Sequence, residues 1–407
     1  MLPLRYQLSP TCSFIHITIR CAIATMSDIT IKPINPDSKR ELDNFIFFAW
    51  TIYEGNPYWV PPLLMDIRKT LNPRKNSFFQ NAQMQLYIAE RNGKTIGRIA
   101  AIKNDLHNQT HHDKAGFFGF FECINDQAVA NALLDTAKAW LTERGMDTMI
   151  GPANPSINHE FGLLIEGFDD SPRIMMPYNP EYYIQLLENY GLSIAKKLLA
   201  FKIEQEHVLD NPKFVRIANA VRQRSGITVR SANFKDLKNE VSLIKEIYNA
   251  AWRDPQFGGY NWGAIPLTDA EMDELAATIK PLANPEMIIF GSVGDKTIGF
   301  ALCIPDFNYI LKQMNGRLFP FNFLKLFTQR KKIEWARIII LGILPEYQGR
   351  GYDAVLYHEV VTRSRQFGIK YGEASWILED NLPMVRAAQE VMSGTVYKKY
   401  AAYSVKW

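Results

Sequence analysis

Gln348-Gly349-Arg350-Gly351 is the stretch of this chain best suited to do chemistry. It follows an apolar strand pattern at Ile338, Ile340, Leu341 and Ile343, and it precedes Ala354, Val355, Leu356, Val360 and Val361 at helical spacing. Two glycines let the backbone curl, so successive main-chain N–H groups at the positive end of a helix form a cradle for an anion such as a pyrophosphate. The spacing fits neither the Walker loop nor the dinucleotide fingerprint Gly-x-Gly-x-x-Gly. A tight strand-to-helix turn without a ligand is the plainer alternative. Asp353 follows at once, and a carboxylate there repels a diphosphate unless it turns away or caps the helix.

A second group of candidates lies further on. Tyr371 to Ile377 reads as a strand, after which Glu379-Asp380-Asn381 turns into a helix from about Pro383, proline being suited to a first turn. In the first half, Gly151 to Phe168 is rich in turn formers and polar groups, which describes a long shaped loop. Its His159-Glu160 pair either supplies a base across a domain interface or is held in a structural hydrogen-bond network, the commoner fate of such a histidine. His107, His111 and His112 have no carboxylate or cysteine companions at ligand spacing, so no metal is expected.

These residues must be positioned by ordinary globular cores. The 407 residues predict two or three domains, and 47% apolar with 22% charged residues suffices to bury them. A net charge of +4 with no dense basic stripe argues against nucleic acid. Cys12, Cys21, Cys123 and Cys303 are too scattered for a disulfide framework or a metal knuckle, which favours a cytoplasmic setting. No stretch approaches the ~20 uninterrupted apolar residues of a spanning helix. Met26-Ser27-Asp28 before the strand-like Ile29 and Ile31 reads as a natural start, so residues 1–26 are expected to be a non-structural extension.

The chain repeats itself. Lys94-Thr95-Ile96-Gly97 recurs as Lys296-Thr297-Ile298-Gly299, an offset of 296 − 94 = 202, and Ala195 to Phe201 is echoed by Tyr397 to Tyr403 at the same offset. The repeat places one domain at 27–205, a linker helix at 206–226 and a second domain at 227–407. Each half alternates strands and helices, which predicts an α/β architecture with mixed twisted sheets flanked by helices. The second half alone carries an insert, to Lys332, with six basic and no acidic residues after Asp306. Its apolar members make it either a membrane-surface segment or a helical hairpin packed on the first domain.

The Gln-x-x-Gly-x-Gly-like loop after a strand resembles the acyl-coenzyme-A loop of the GNAT acetyltransferase superfamily, and the element order of both halves is similar to the GNAT fold. Asp353 departs from the pattern, where Gly or Ala is usual. The resemblance implies two tandem GNAT-like domains, the first degenerate because Phe120 to Ala128 has no glycine after its strand. It implies an N-acyltransferase that uses acetyl-coenzyme A or a longer acyl-coenzyme A, with Leu341, Gly342, Ile343, Gln348, Gly349, Arg350, Gly351 and Tyr352 holding the donor. Asn381 matches the family asparagine that binds the pantetheine arm; capping the next helix is an equal reading. Ala388 stands where the family often has a tyrosine acid, so that role does not transfer. A base is then sought among carboxylates near strand ends on the loop's side, Glu379 first and Asp306 next, and Tyr400 is a candidate to face the thiol.

Pro305-Asp306-Phe307-Asn308 and Trp376-Ile377-Leu378-Glu379-Asp380-Asn381 resemble a group of bacterial tandem GNAT-like proteins, related to bacterial enzymes that acylate sphingoid bases to make ceramides. That resemblance implies a primary amine acceptor of small-molecule or lipid type. The basic amphipathic insert, taken by itself, suggests peripheral contact with the inner face of the membrane through 309–332, and its charge also suits an acyl carrier protein as an alternative donor. Two other classes compete: a coenzyme-A-sensing scaffold without turnover, favoured by Asp353 and Ala388, and a transferase using charged tRNA, disfavoured by the presence of the loop.

Overall fold

A computed structural model describes residues 29–252 and 261–407, so the expected extension at 1–26 lies outside the described residues. The first half forms β1 (Thr30–Ile34), β2 (Ala82–Arg91), β3 (Lys94–Asn104), β4 (Ala115–Cys123), β5 (Thr148–Gly151), a short hairpin of β6 (Ala153–Asn154) and β7 (Glu160–Phe161), β8 (Leu163–Glu166) and β9 (Ser193–Glu204). The second forms β10 (Thr228–Ser231), β11 (Ile288–Val293), β12 (Lys296–Pro305), β13 (Trp335–Ile343), β14 (Tyr371–Leu378) and β15 (Thr395–Lys406). Helices Gln205–Leu209 and Pro212–Ser225 join the halves.

The repeated Lys-Thr-Ile-Gly motifs do the same work twice. Each opens the second strand of a hairpin, β2–β3 and β11–β12, behind a glycine at φ 73° (Gly93) or 57° (Gly294) that makes the reversal without a Cβ clash. Helices Lys39–Ile52 and Leu237–Ala251 follow the first strand of each half, and Gln127–Thr142 and Tyr352–Arg365 follow β4 and β13. Ser38 caps the first of these by accepting from the Glu41 N–H. The central strands carry near-continuous apolar runs because helices or loops cover both faces. Phe290, Phe300 and Ile304 are fully buried, each stabilising by about 1.5–3 kcal/mol.

Among the described residues, thirteen strands form one sheet, with β8 attached to β15 beside the continuous order β1-β2-β3-β4-β5-β15-β9-β14-β13-β12-β11-β10. The last long strand of each half therefore sits in the sheet of the other. β15 pairs with β5, and β9 pairs with β14, all antiparallel. Where β9 and β15 meet, Leu198 faces Tyr400, and 400 − 198 is again 202. Lys197↔Ala401 and Leu199↔Lys399 mirror one another about that pair, so a pseudo-two-fold axis relating the repeats passes between Leu198 and Tyr400.

Candidate active site

Strands β13 and β14 run parallel and pair from Trp335↔Tyr371 to Ile338↔Ala374, then diverge. Leu302 pairs with Ile340 and Cys303 with Ile338, so Ile339 is an extra residue whose bulge bends β13 away. β14 stays on β9, which it pairs from Tyr371↔Glu204 through to Leu378↔Leu198. Among the described residues, Ile339 to Ile343 thus have no strand partner on the β14 side, and an extended ligand could pair with that edge.

The wedge opens onto the glycine loop. Gly349 (φ 70°) and Gly351 (φ 83°) are both left-handed, and the helix that starts at Tyr352 has no side-chain cap. Gln348, Gly349 and Arg350 are exposed, and a Cβ on Gly349 would meet nothing within 4 Å. The Gln348 amide fastens the loop by donating to the Ile343 carbonyl (2.9 Å) and the Ala251 carbonyl (3.2 Å). The result is an exposed turn of left-handed glycines leading to an uncapped helix start, whose free amides form the positive end of the helix. Leu341 is half-buried beside it, and Gly342 and Ile343 are buried, a Cβ at Gly342 falling 3.2 Å from the Phe300 ring. Burial pushes the Asp353 carboxyl up from its usual range while the Ala354 amide and its own oppose the rise. Asn381, exposed at the end of β14, accepts from the Met384 N–H (3.4 Å) and caps helix Leu382–Arg386.

The same wedge in the first half is filled. β4 and β5 pair from Ala115↔Thr148 to Phe117↔Ile150 and then part. Asn154 Oδ1 accepts from the Phe120 N–H (2.6 Å), and a Cβ at Gly119 would lie 1.7 Å from the Ala153 carbonyl oxygen. Further along the edge, Tyr183 Oη accepts from the Cys123 N–H (2.9 Å) and Tyr182 Oη donates to the Cys123 carbonyl (2.7 Å). The following helix is capped by Asp126, which accepts from the Ala128 N–H and pairs with Arg91 at 2.8 Å. A carboxylate of the chain occupies the position that an anionic ligand would need.

Beneath the open wedge lies a buried charged cluster. Arg337 of β13 donates to Ser375 Oγ (2.9 Å), the Ser375 carbonyl (3.1 Å) and, in the first half of the chain, the Ile174 carbonyl (2.9 Å). Glu373 is 3.5 Å from Arg337 and accepts from Ser375 Oγ (2.6 Å) and from Tyr397 Oη. The Arg337 guanidinium also lies 5.4 Å from the Trp376 ring centre. Two buried polar atoms here have no hydrogen-bond partner among the described residues, Tyr400 Oη and Trp376 Nε1. Burial raises the Tyr400 phenol well above its usual pKa, so it keeps its proton at neutral pH. Neither Arg337 nor Glu373 stood out in the sequence, yet each is a charge inside an apolar strand, and such a charge needs a buried partner.

The long loop of the first half reaches across to this cluster. Asn158 Oδ1 accepts from Tyr248 Oη (3.1 Å), and the Phe161 ring lies 6.2 Å from Trp262. Burial pushes the Glu160 carboxyl up to about 7, opposed by a hydrogen bond from Asn154 and the charge of Arg337, while part of its surface stays exposed. His159 is held by Ser156 Oγ (2.8 Å), and burial lowers it to about 4, leaving it neutral.

Glu379 is exposed at the end of β14, 3.9 Å from Lys197. Asp306, expected on the loop's side of the sheet, lies at the opposite end. β12 runs antiparallel to β13, so Gly299 meets Ile343 near the loop and Pro305 meets Ala336 far from it. There Asp306 accepts from the Ile174 N–H (2.9 Å) and stands 3.5 Å from Arg173; burial pushes it up to about 6 against the pull of Arg173. Among the described residues no group of three or more His, Cys, Asp or Glu side chains is placed to hold a metal.

No family model matches the chain. It is 32% identical over 387 residues to the bacterial ceramide synthase of Caulobacter vibrioides, covering 93% of this chain and 98% of that protein. It is 30% identical over 372 residues to Protein YghO of Escherichia coli, covering 90% and 93%. Among solved structures, a tandem GNAT protein from the clavulanic acid biosynthesis pathway superposes with a TM-score of 0.55 at 10% identity, over 93% of this chain and 98% of its own. The doubled sheet, the single open wedge and similarity along nearly the whole length lead to one assignment: the chain belongs to the family of the bacterial ceramide synthase and has the tandem GNAT fold.

Proposed function

We propose that the chain transfers an acyl group from acyl-coenzyme A to a primary amine, and that the amine is a long-chain lipid amine of the sphingoid type. The observation that carries this reading is the unpaired edge of β13 leading into an uncapped glycine loop. The lipid acceptor is supported by the name of the Caulobacter relative. An acyl carrier protein could present the same thioester, since its prosthetic arm matches the lower part of the coenzyme.

In this reading the amides of Gly349 to Tyr352 hold the diphosphate, and Gln348 keeps the loop in shape. The pantetheine arm pairs with the free edge of β13, with Asn381 at the other wall. A main-chain N–H near Gly342 or Ile343 polarises the thioester carbonyl. The ammonium of the acceptor loses one proton to a carboxylate; the neutral nitrogen bonds the carbonyl carbon, the carbon–sulfur bond breaks, and the second nitrogen proton reaches the departing thiolate. Glu160 suits the first task better than Glu379, which faces water beside Lys197, because its proton affinity is matched to neutral pH. Tyr400 Oη, protonated and without a partner, suits the second.

The competing reading, a coenzyme-binding scaffold without turnover, draws on Asp353, a half-buried carboxyl in the first turn after the loop. Calorimetric titration with acetyl- and long-chain acyl-coenzyme A, followed by thiol release on adding a long-chain amine, tests both. Binding with amine-dependent thiol release supports the transferase. Binding without release across a broad amine panel supports the scaffold, and no binding removes both.

A further inference from the structure

We infer that residues 317–332 form a docking surface for an anionic lipid bilayer. The insert between β12 and β13 has two arms of different character. Its first arm is fixed to the first half: Trp50 Nε1 donates to Asn315 Oδ1 (2.8 Å), the Leu64 N–H donates to the Gly316 carbonyl (2.9 Å), and Lys312 reaches Ser171 Oγ (3.0 Å). A Cβ at Gly316 would lie 2.8 Å from the Trp50 ring, so glycine is required for this close approach.

The second arm turns its apolar residues outward. Phe319, Phe321 and Phe327 are 66%, 74% and 76% exposed, and Leu324 is exposed between them. Asn322–Leu324 and Lys325–Thr328 are consecutive short helical turns, so Phe321, Leu324 and Phe327 recur every third residue along one side. Met65, also exposed, adds to the patch from helix Leu64–Thr70, whose first residue bonds Gly316. Single exposed apolar side chains are ordinary, but three exposed phenylalanines within nine residues are a concentrated apolar surface.

Charge selects the occupant. Arg317, Lys331 and Lys332 are exposed in the same arm without an ion-pair partner among the described residues, while Arg330, also exposed, donates to the Leu282 and Ala283 carbonyls. No acidic residue occurs between Phe307 and Ile333; the neighbouring helix contributes Asp66 together with Arg68 and Lys69. The occupant has to meet both the bases and the projecting aromatic rings. A bilayer satisfies both, with rings among the acyl chains and bases against the headgroups.

The placement suits a lipid substrate. The insert leaves the sheet at Pro305 and returns at Trp335, while the glycine loop follows Ile343 at the other end of β13, roughly 30 Å away by strand length. A bilayer seated on the insert leaves the diphosphate end of the wedge in water. This inference deepens the lipid-amine reading by naming where the acceptor arrives. Its test needs no turnover, so it can fail while the transferase stands.

The full chain is sedimented with vesicles of phosphatidylcholine alone or with ~30% phosphatidylglycerol, at low and high salt. Partitioning at least about tenfold stronger on the anionic vesicles is expected, weakening with salt. The variant Phe319→Ser/Phe321→Ser/Phe327→Ser should lose about tenfold or more of it, and Arg317→Glu/Lys331→Glu/Lys332→Glu likewise, while both bind acyl-coenzyme A as the parent does. Equal recovery in the supernatant with every vesicle overturns the proposal. So does loss on charge reversal without loss on Phe→Ser, the pattern of adsorption by charge alone with no ring entering the bilayer.

Discussion

The two wedges of this molecule have the same origin and opposite fates. In the second half β13 leaves β14 after Ile338 and its edge stays available. In the first half β4 leaves β5 after Phe117, and Asn154, Tyr182 and Tyr183 take up the bonds that the strand gives up. Their helix starts diverge in the same way, with Asp126 as a built-in anion on one side and two left-handed glycines with no cap on the other. The hairpin that blocks the first wedge is also the segment that carries Glu160 towards Arg337.

The largest effect should come from that shared segment. Glu160→Gln is expected to lower kcat by roughly 10²–10⁴-fold with little change in coenzyme affinity. The parent should lose activity as pH falls through about 7, because the carboxyl must be ionised to accept a proton, and the variant should lack that acidic limb. An unchanged pH profile would return the role to Glu379 and reduce the first half to a scaffold. Next, Gly351→Val strains a backbone at φ 83° and sets a Cβ 2.9 Å from Val221, so acyl-coenzyme A affinity should fall roughly 10–100-fold. Calorimetry on the parent should show one site per chain; two would mean that the first wedge opens after all. The smallest effect is expected at Asp353→Asn, where removing a like charge should tighten coenzyme binding by about 1 kcal/mol, roughly fivefold. No change would show that the carboxylate serves only the helix.

Local features of the fold were legible in the chain where a residue type permits only one conformation. The Lys-Thr-Ile-Gly hairpins and the glycine loop belong to this class, since reversed or left-handed backbone demands glycine. The repeat announced itself through a constant offset. The exchange of β9 and β15 did not, because Ala195 to Phe201 and Tyr397 to Tyr403 carry nearly the same pattern and either would complete either sheet. Asp306 was misplaced for a related reason: proximity to a strand end says nothing about which end until pairing fixes the strand's direction. Arg337 and Glu373 carry no signal of their own in the sequence, and only their juxtaposition on paired strands reveals a buried ion pair. His159 was the opposite case, where the structural reading of a hydrogen-bonded ring is the one the fold displays.

The swap of terminal strands also sets an order of events during synthesis. β9, needed by the second sheet, leaves the ribosome before that sheet exists, whereas β15, needed by the first, emerges 395 − 204 = 191 residues after the end of β9. Until then the edge of β5 waits without its partner, and a nascent chain in that condition is open to intermolecular strand addition. Cutting the gene between its repeats would accordingly yield two fragments that complement each other only when produced together.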